Sequence, residues 1–195
     1  MRRLRRAELA ADTIALAQQL LGAILVSDAD GVRCAVRIVE TEAYTSGDPA
    51  AHAYRRETAR NRSLFLRRGH AYVYFIYGMY FCINVSSETA GTGAGVLIRA
   101  GEPLVGIEAM SARRPRATVR DLCRGPGKLA MSLAITRLYD GLDLTAPGPL
   151  WLASGVPVSE IGTSVRIGIT QAADRLLRFY DRGSPHLSGP PALNR

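Results

Sequence analysis

Residues 71–87, AYVYFIYGMYFCINVSS, constrain the fold of this chain more than any other stretch. Aromatic and β-branched residues dominate it, and Gly78 divides it near the middle. That composition suits a pleated, half-buried surface, while a central glycine supplies a tight turn or bulge. Two short antiparallel strands joined near Gly78 are predicted. An isolated hairpin is barely stable in water, so the rest of the chain has to extend it into a sheet. Further strands are legible. Val32–Tyr44 alternates with period two, which puts Val32, Cys34, Val36 and Ile38 on one face. Gly95–Ala100 reads as a strand ended by Gly101 and Pro103, and Ser164–Thr170 as another.

The helices are fewer. Asp12 is placed to cap a helix over Thr13–Leu21, with Leu16 and Leu20 four apart and Gly22 ending it. Ile107–Arg113 and Lys128–Tyr139 also read as helices, the second following GPG and carrying Leu129 and Leu133 on one stripe. Residues 141–163 are rich in Gly, Pro and Ser and predict loops with short strands. Asp174–Tyr180 is at best a short element, and the tail from Gly183 is expected to be loop-like and partly disordered. At 195 residues and 47% hydrophobic the chain can bury one substantial core. The expectation is an α+β fold, a single domain over 1–195, built on a mixed antiparallel curved sheet with helices packed around it. GxGxxG, Walker, HExxH and GxSxG patterns are absent, as are internal repeats.

Charge narrows the partner. The formal net charge is +8, and Lys128 is the only lysine, so the basicity is arginine. The guanidinium is a planar fork of donors suited to phosphates and base edges. Two runs stand out: Arg55, Arg56, Arg60, Arg62, Arg67 and Arg68, and then Arg113, Arg114, Arg116, Arg120, Arg124 and Lys128. With the tyrosine-rich hairpin between them, they suggest backbone contacts flanking an element that reads or wedges bases. Cys34, Cys82 and Cys123 lack metal-ligand spacing and are expected to be reduced thiols; no metal or other cofactor is suggested. MRRLRR precedes no signal-peptide core and no run of eighteen apolar residues occurs, so a soluble cytoplasmic protein without membrane contact is the default.

The chemistry is expected at IVETEAY, residues 38–44. Glu40 and Glu42 are one strand period apart and should project from the same face. A carboxylate beside aromatic rings and basic residues suggests acid–base work on an aromatic, phosphate-bearing substrate, and a nucleobase in DNA fits. Chemistry on a duplex base requires extrusion of the nucleotide, hence a wedge, stacking surfaces and an activated water. Tyr44, Tyr72, Tyr74, Tyr77 and Tyr80 could supply the aromatic surface.

The segments DTIALAQQLLG, RIVETEAY, DPAAH, ARNRSLF, GHAYVYFIYGMYFCINVSS, VLIRAGEPLVGIEAM, GPGKLAMSLAI, VRIGI and LRFYDRGSPH resemble, in order and almost end to end, the alkyladenine (3-methyladenine) DNA glycosylase family. The resemblance implies base excision repair: hydrolysis of the N-glycosidic bond of 3-methyladenine, hypoxanthine or ethenoadenine by a monomer acting on double-stranded DNA that contains a damaged purine. It implies Glu42 as the group that deprotonates or orients the water, with Arg99 and the backbone carbonyl of Ile167 helping to hold it. Glu40 is left to structural support. Tyr44, His52 and Tyr74 fall on the residues that sandwich the flipped base, and the backbone N–H of His52 on a donor to purine position 6. Asn84 falls on the residue that crowds the 2-amino group of guanine, Tyr77 on the wedge pushed into the duplex, and Leu64 on the residue behind it. Ala53 and Tyr54, where relatives often carry Ser, and His186, where Trp is common, depart from the pattern, as does Leu176 or Leu177 where an aromatic is frequent. The single lysine, far from Glu42 in sequence, argues for a monofunctional enzyme without lyase activity, since a lyase commonly needs an amine. The rival expectation is a non-catalytic lesion-sensing DNA-binding protein on the same fold.

Overall fold

The computed structural model describes residues 1–76 and 78–194. Along the chain, α1 (Thr13–Gln19) leads into β1 (Ile24–Ser27) and β2 (Cys34–Tyr44). The hairpin β3 (Ala71–Ile76) and β4 (Tyr80–Ser86) follows, then β5 (Gly95–Val105), α2 (Ile107–Arg113) and α3 (Pro126–Ser132). Three four-residue strands close the sequence: β6 (Leu150–Ala153), β7 (Ile161–Ser164) and β8 (Arg178–Asp181). The sheet order is β3-β4-β5-β2-β1-β6, with β8 paired to β2 and β7 to β8. Each of these pairings is antiparallel. The architecture is the α+β one expected from the sequence, with a curled antiparallel sheet and, among the described residues, three α-helices.

The expected hairpin forms around Gly78, whose φ of +68° is left-handed backbone that favours glycine. Asp12 caps α1 by accepting the Ala15 N–H at 2.9 Å, worth about 1 kcal/mol against alanine. Leu16 and Leu20 are fully buried against the sheet, each contributing about 1.5–3 kcal/mol by removal from water. β2 is covered on both faces: Thr41 donates to Ala17 of α1 on one side, and Val39 packs with Ala100, Tyr180 and Leu187 on the other. Val32, expected on its buried face, instead lies outside the strand and is 44% exposed, because the turn at Ala29–Gly31 ends only there.

Other expectations shift for physical reasons. β5 does not stop at Gly101 or Pro103. Gly101 lies so close to Val36 that a Cβ would come within 2.8 Å, and Pro103 pairs with Val36 next to a register shift that relieves the ladder. The helix expected over Lys128–Tyr139 starts at Pro126 and ends at Ser132; Ala134, at φ +52°, separates it from a short turn at Arg137–Tyr139. The strand expected over 164–170 lies earlier, at Ile161–Ser164, because Arg166 is drawn away to Asp48. The tail is not loose: Leu187 and Ser188 are 5% and 4% exposed. Cys34, Cys82 and Cys123 are free thiols, all buried.

Candidate active site

Two irregularities in the β2–β5 ladder create the site. Ile38 pairs with Gly101 and Glu40 with Ala100, so Val39 is an extra residue on β2; Thr41 then pairs with Ile98, so Arg99 is an extra residue on β5. Such bulges re-aim side chains. Arg99 reaches both acidic residues of β2, through Nε to Glu40 Oε1 at 2.9 Å and through Nη1 to Glu42 Oε1 at 3.2 Å. It is 6% exposed and lies between two carboxylates with no exposure at all. Arg178 of β8, also fully buried, donates Nε to Glu40 Oε1 at 2.7 Å. Two guanidinium groups thus balance two carboxylates out of water, the pairing that makes a buried charge tolerable. Burial opposes ionisation of Glu40, but Arg99 and Arg178 outweigh it and hold its carboxyl below the usual range. Burial likewise opposes the charge on Arg99, and Glu42 and Glu40 reverse that and raise its value.

The two carboxylates have different surroundings. Glu40 accepts from Arg99, Arg178 and both the amide and hydroxyl of Ser188. Glu42 is ion-paired with Arg99 and accepts from the Ile167 amide at 2.7 Å and from the Tyr44 hydroxyl at 2.9 Å on Oε2. The resemblance gave the Ile167 carbonyl a part in holding the water; the contact to Glu42 itself is made by the Ile167 N–H. Burial, with Glu42 adjoining, pushes the Tyr44 phenol up, so it remains a donor at neutral pH.

Beyond the partners of Glu42, which is not itself part of the wall, lies a cavity of about 450 Å³, within the range of about 300–1,000 Å³ usual for small-molecule sites. Tyr44, Arg99 and Ile167, the three partners of Glu42, all line it. His52, Tyr72, Tyr74, Asn84 and Leu64 form further wall. Tyr72 and Tyr74 lie nearly parallel, 5.3 Å between centroids at 24°. The His52 ring meets Tyr74 edge-on at 4.5 Å, and its Nδ1 lies 2.9 Å from the Tyr72 hydroxyl. Burial, reinforced by Arg60, lowers the His52 value and favours neutral imidazole. Burial pushes the Tyr72 phenol up to about 12. Among the described residues, no acceptor within the chain meets the backbone N–H of His52.

Asn84 is 6% exposed and held by Nδ2 to the Tyr72 carbonyl at 3.4 Å. The cavity therefore brings together Glu42's partners and every expected pocket residue, Leu64 included. Tyr77, expected as the wedge, lies outside the described residues.

One buried pair was not singled out from the sequence, and Lys128 and the second basic run take on roles other than those expected. Asp48 and Arg166 form a fully buried ion pair; Arg166 also donates to the Ala43 carbonyl and sits 4.7 Å from the Tyr44 ring centroid. That pair ties the loop of His52 to the loop of Ile167. Lys128, distant from Glu42 in sequence, is an exposed part of the cavity wall. The second basic run is largely structural: Arg113, Arg114, Arg120 and Arg124 donate to backbone carbonyls of Ser132, Asp121 and Leu122, Pro185, and Leu187. Arg55, Arg56 and Arg62 form no side-chain hydrogen bond or ion pair among the described residues.

A largely apolar, tyrosine-walled cavity backed by an ion-paired carboxylate is the site of an enzyme that takes a flat aromatic group. Comparison with known proteins gives that class its particulars. The family model for methylpurine-DNA glycosylase matches residues 7–185. A Mesorhizobium japonicum protein named "Putative 3-methyladenine DNA glycosylase" is 58% identical over 189 residues, covering 96% of this chain and 91% of its own. Proteins of the same name from Methanocella arvoryzae and Paraburkholderia phytofirmans are 48% and 43% identical, over 90% and 96% of this chain and 90% and 89% of theirs. The chain belongs to the methylpurine-DNA glycosylase family, DNA-repair hydrolases that cut the N-glycosidic bond between base and deoxyribose.

Proposed function

We propose that this protein removes 3-methyladenine, hypoxanthine and ethenoadenine from duplex DNA as a monomeric, monofunctional glycosylase that flips the damaged nucleotide into the 450 Å³ cavity. The observation that carries the reading is Glu42, a carboxylate without exposure whose two hydrogen-bond donors and ion-pair partner all line that cavity. With the base between the aromatic walls, Tyr44 and Tyr74 stack on it and His52 closes the edge. The C1′–N9 bond breaks with its electron pair leaving on the purine. A water oxygen attacks C1′, and Glu42 takes its proton. Arg99 and the Ile167 amide fix Oε1, so Oε2 is the oxygen that faces the water once the Tyr44 hydroxyl yields it. A 3-methylated adenine is already cationic and leaves readily; a neutral hypoxanthine gains from the free N–H of His52, which suits a 6-carbonyl and not a 6-amino group. A mismatched buried hydrogen bond is worth ~1–3 kcal/mol, or roughly 5- to 150-fold discrimination. Asn84 rejects guanine by crowding its 2-amino group, and the unpaired Arg55, Arg56 and Arg62 are available to backbone phosphates.

The monofunctional outcome rests on Lys128. It lines the cavity but is an exposed residue, whereas Schiff-base lysines are activated by burial or by a neighbouring cation. A lesion sensor without activity would have no use for a carboxylate held by three partners in the cavity wall.

The test is excision from duplexes carrying one hypoxanthine, ethenoadenine or 3-methyladenine, followed by alkali. Wild type should give strand scission and Glu42→Gln none; equal scission by both would sink the assignment. Borohydride should trap no covalent adduct through Lys128.

A further inference from the structure

The family match ends at residue 185, yet the chain continues across the back of the site. Arg120 and Arg124 hold the start of this segment by the carbonyls of Pro185 and Leu187, at 2.9 and 2.6 Å. Arg178 holds its far end by the Leu193 carbonyl at 2.9 Å and Asn194 Oδ1 at 2.6 Å. Between these anchors Ser188 turns into the buried charges. Its amide donates to Glu40 Oε2 at 2.6 Å, and its hydroxyl donates to Glu40 Oε1 at 2.8 Å while accepting from Arg99 Nη2 at 3.3 Å. One residue on, Gly189 adopts φ +76° and lies so near Ile167 that a Cβ would fall 2.4 Å from its Cδ1. The segment therefore touches Arg99 and Ile167, the two groups that fix Oε1 of Glu42.

We propose that Ser188 is a positioning residue for base excision: its hydroxyl sets how Arg99 is divided between Glu40 and Glu42. The inference rests on Glu42 being the group that activates water. Arg99 has one cation for two carboxylates, and its contact to Glu40 is the shorter, 2.9 against 3.2 Å. Ser188 supplies Glu40 with two donors of its own and gives Arg99 Nη2 an acceptor. Without the hydroxyl, Glu40 lacks one donor and Arg99 one acceptor. The guanidinium then closes on Glu40, and Nη1 draws away from Glu42. Hydrogen bonds to charged groups are stronger than neutral ones, so a single hydroxyl has leverage here. Ser188 reaches no substrate; it acts through Arg99.

The experiment compares Ser188→Ala, Ser188→Thr and Glu42→Gln by single-turnover excision of 3-methyladenine at saturating enzyme, with duplex affinity and thermal midpoint measured alongside. Ser188→Ala should slow excision about tenfold, the scale of one charge-assisted hydrogen bond, while lesion-duplex affinity stays within about twofold. Ser188→Thr, which keeps the hydroxyl, should restore the rate. A merely structural role would lower the thermal midpoint and leave the rate of folded enzyme unchanged, and that result overturns the inference. If Ser188→Ala does not fold, Ser188→Cys, nearly isosteric with a weaker donor, carries the same expectation. Inactive Glu42→Gln beside wild-type rates in Ser188→Ala overturns this inference alone. An active Glu42→Gln overturns the assigned function and this inference with it.

Discussion

Arg178→Met tests the charge balance behind the site. The substitution keeps the stem volume and removes one positive charge from the set formed by Glu40, Glu42, Arg99 and Arg178, all of it buried. Arg99 alone cannot neutralise two carboxylates in that surrounding, so the pair takes up one proton between them. Keeping a carboxyl of ordinary value, about 4.3, protonated at pH 7 costs about 3.7 kcal/mol at about 1.36 kcal/mol per pH unit. That sets a ceiling on the electrostatic loss and agrees with the ~3–5 kcal/mol typical of breaking a buried ion pair. The lost bonds to Ser164, Leu193 and Asn194 add a part that does not vary with pH.

The sign follows from proton counts. Above about pH 4.3 the unfolded variant has released a proton that its folded form retains, so acidification from pH 7 to 5 should stabilise the variant by about 1.4 kcal/mol per unit. In the wild type the Glu40 value is depressed. Its contribution is full above the unfolded value and lost only as pH falls through the lower folded one, so the wild type gains nothing from acidification over that range. Urea unfolding of both proteins at pH 5, 6 and 7 should show the gap narrowing as pH falls, with equal m-values. A gap that is constant or widens towards acid would refute the four-charge account.

Tyr44→Phe removes the hydroxyl on Glu42 Oε2 but keeps the ring. Because Tyr44 lines the cavity, water can take the vacated place, and excision should stay within about threefold of wild type; a loss beyond tenfold would mean that the hydroxyl is needed to hold the carboxylate. Asp48→Asn leaves the fully buried Arg166 without its counter-ion and should destabilise the protein by about 3–5 kcal/mol, read as a fall in the urea midpoint. The His52 imidazole, its value lowered by burial, should titrate in NMR below the ordinary value of about 6.5. Its contribution to stability is full above that value and declines as pH falls towards the folded one.

The features legible in the sequence are those set by local pattern. Alternation and Gly78 gave the hairpin, and the Asp12 cap and Leu16–Leu20 spacing gave α1. The period-two spacing of Glu40 and Glu42 put both on one face of the strand, and both contact Arg99. What escaped was decided between distant segments. The bulges at Val39 and Arg99 depend on how two strands pair, and neither strand alone encodes that register. Arg166 sits in a pattern that alternates like a strand, but its ion pair with Asp48, 118 residues earlier, outweighs the local preference. The arginines at 113–124 read as a polyanion surface because composition does not reveal that backbone carbonyls inside the fold already occupy most of them. Lys128 looked remote only because chain distance was the sole measure at hand.

The burial of the three cysteines bears on the chemical setting in which such an enzyme works. Agents that methylate purines are electrophiles, and a thiolate is a softer and better target for them than a ring nitrogen. Cys34, Cys82 and Cys123 are 1%, 2% and 0% exposed. Burial also raises the thiol values of Cys82 and Cys123, the latter to about 12, which depletes the reactive anion. Cys82 is the informative one, since it belongs to the cavity wall itself. An alkylated sulfur there would fill part of the space the damaged base needs, so shielding that thiol keeps the repair site open under the same exposure that creates its substrates.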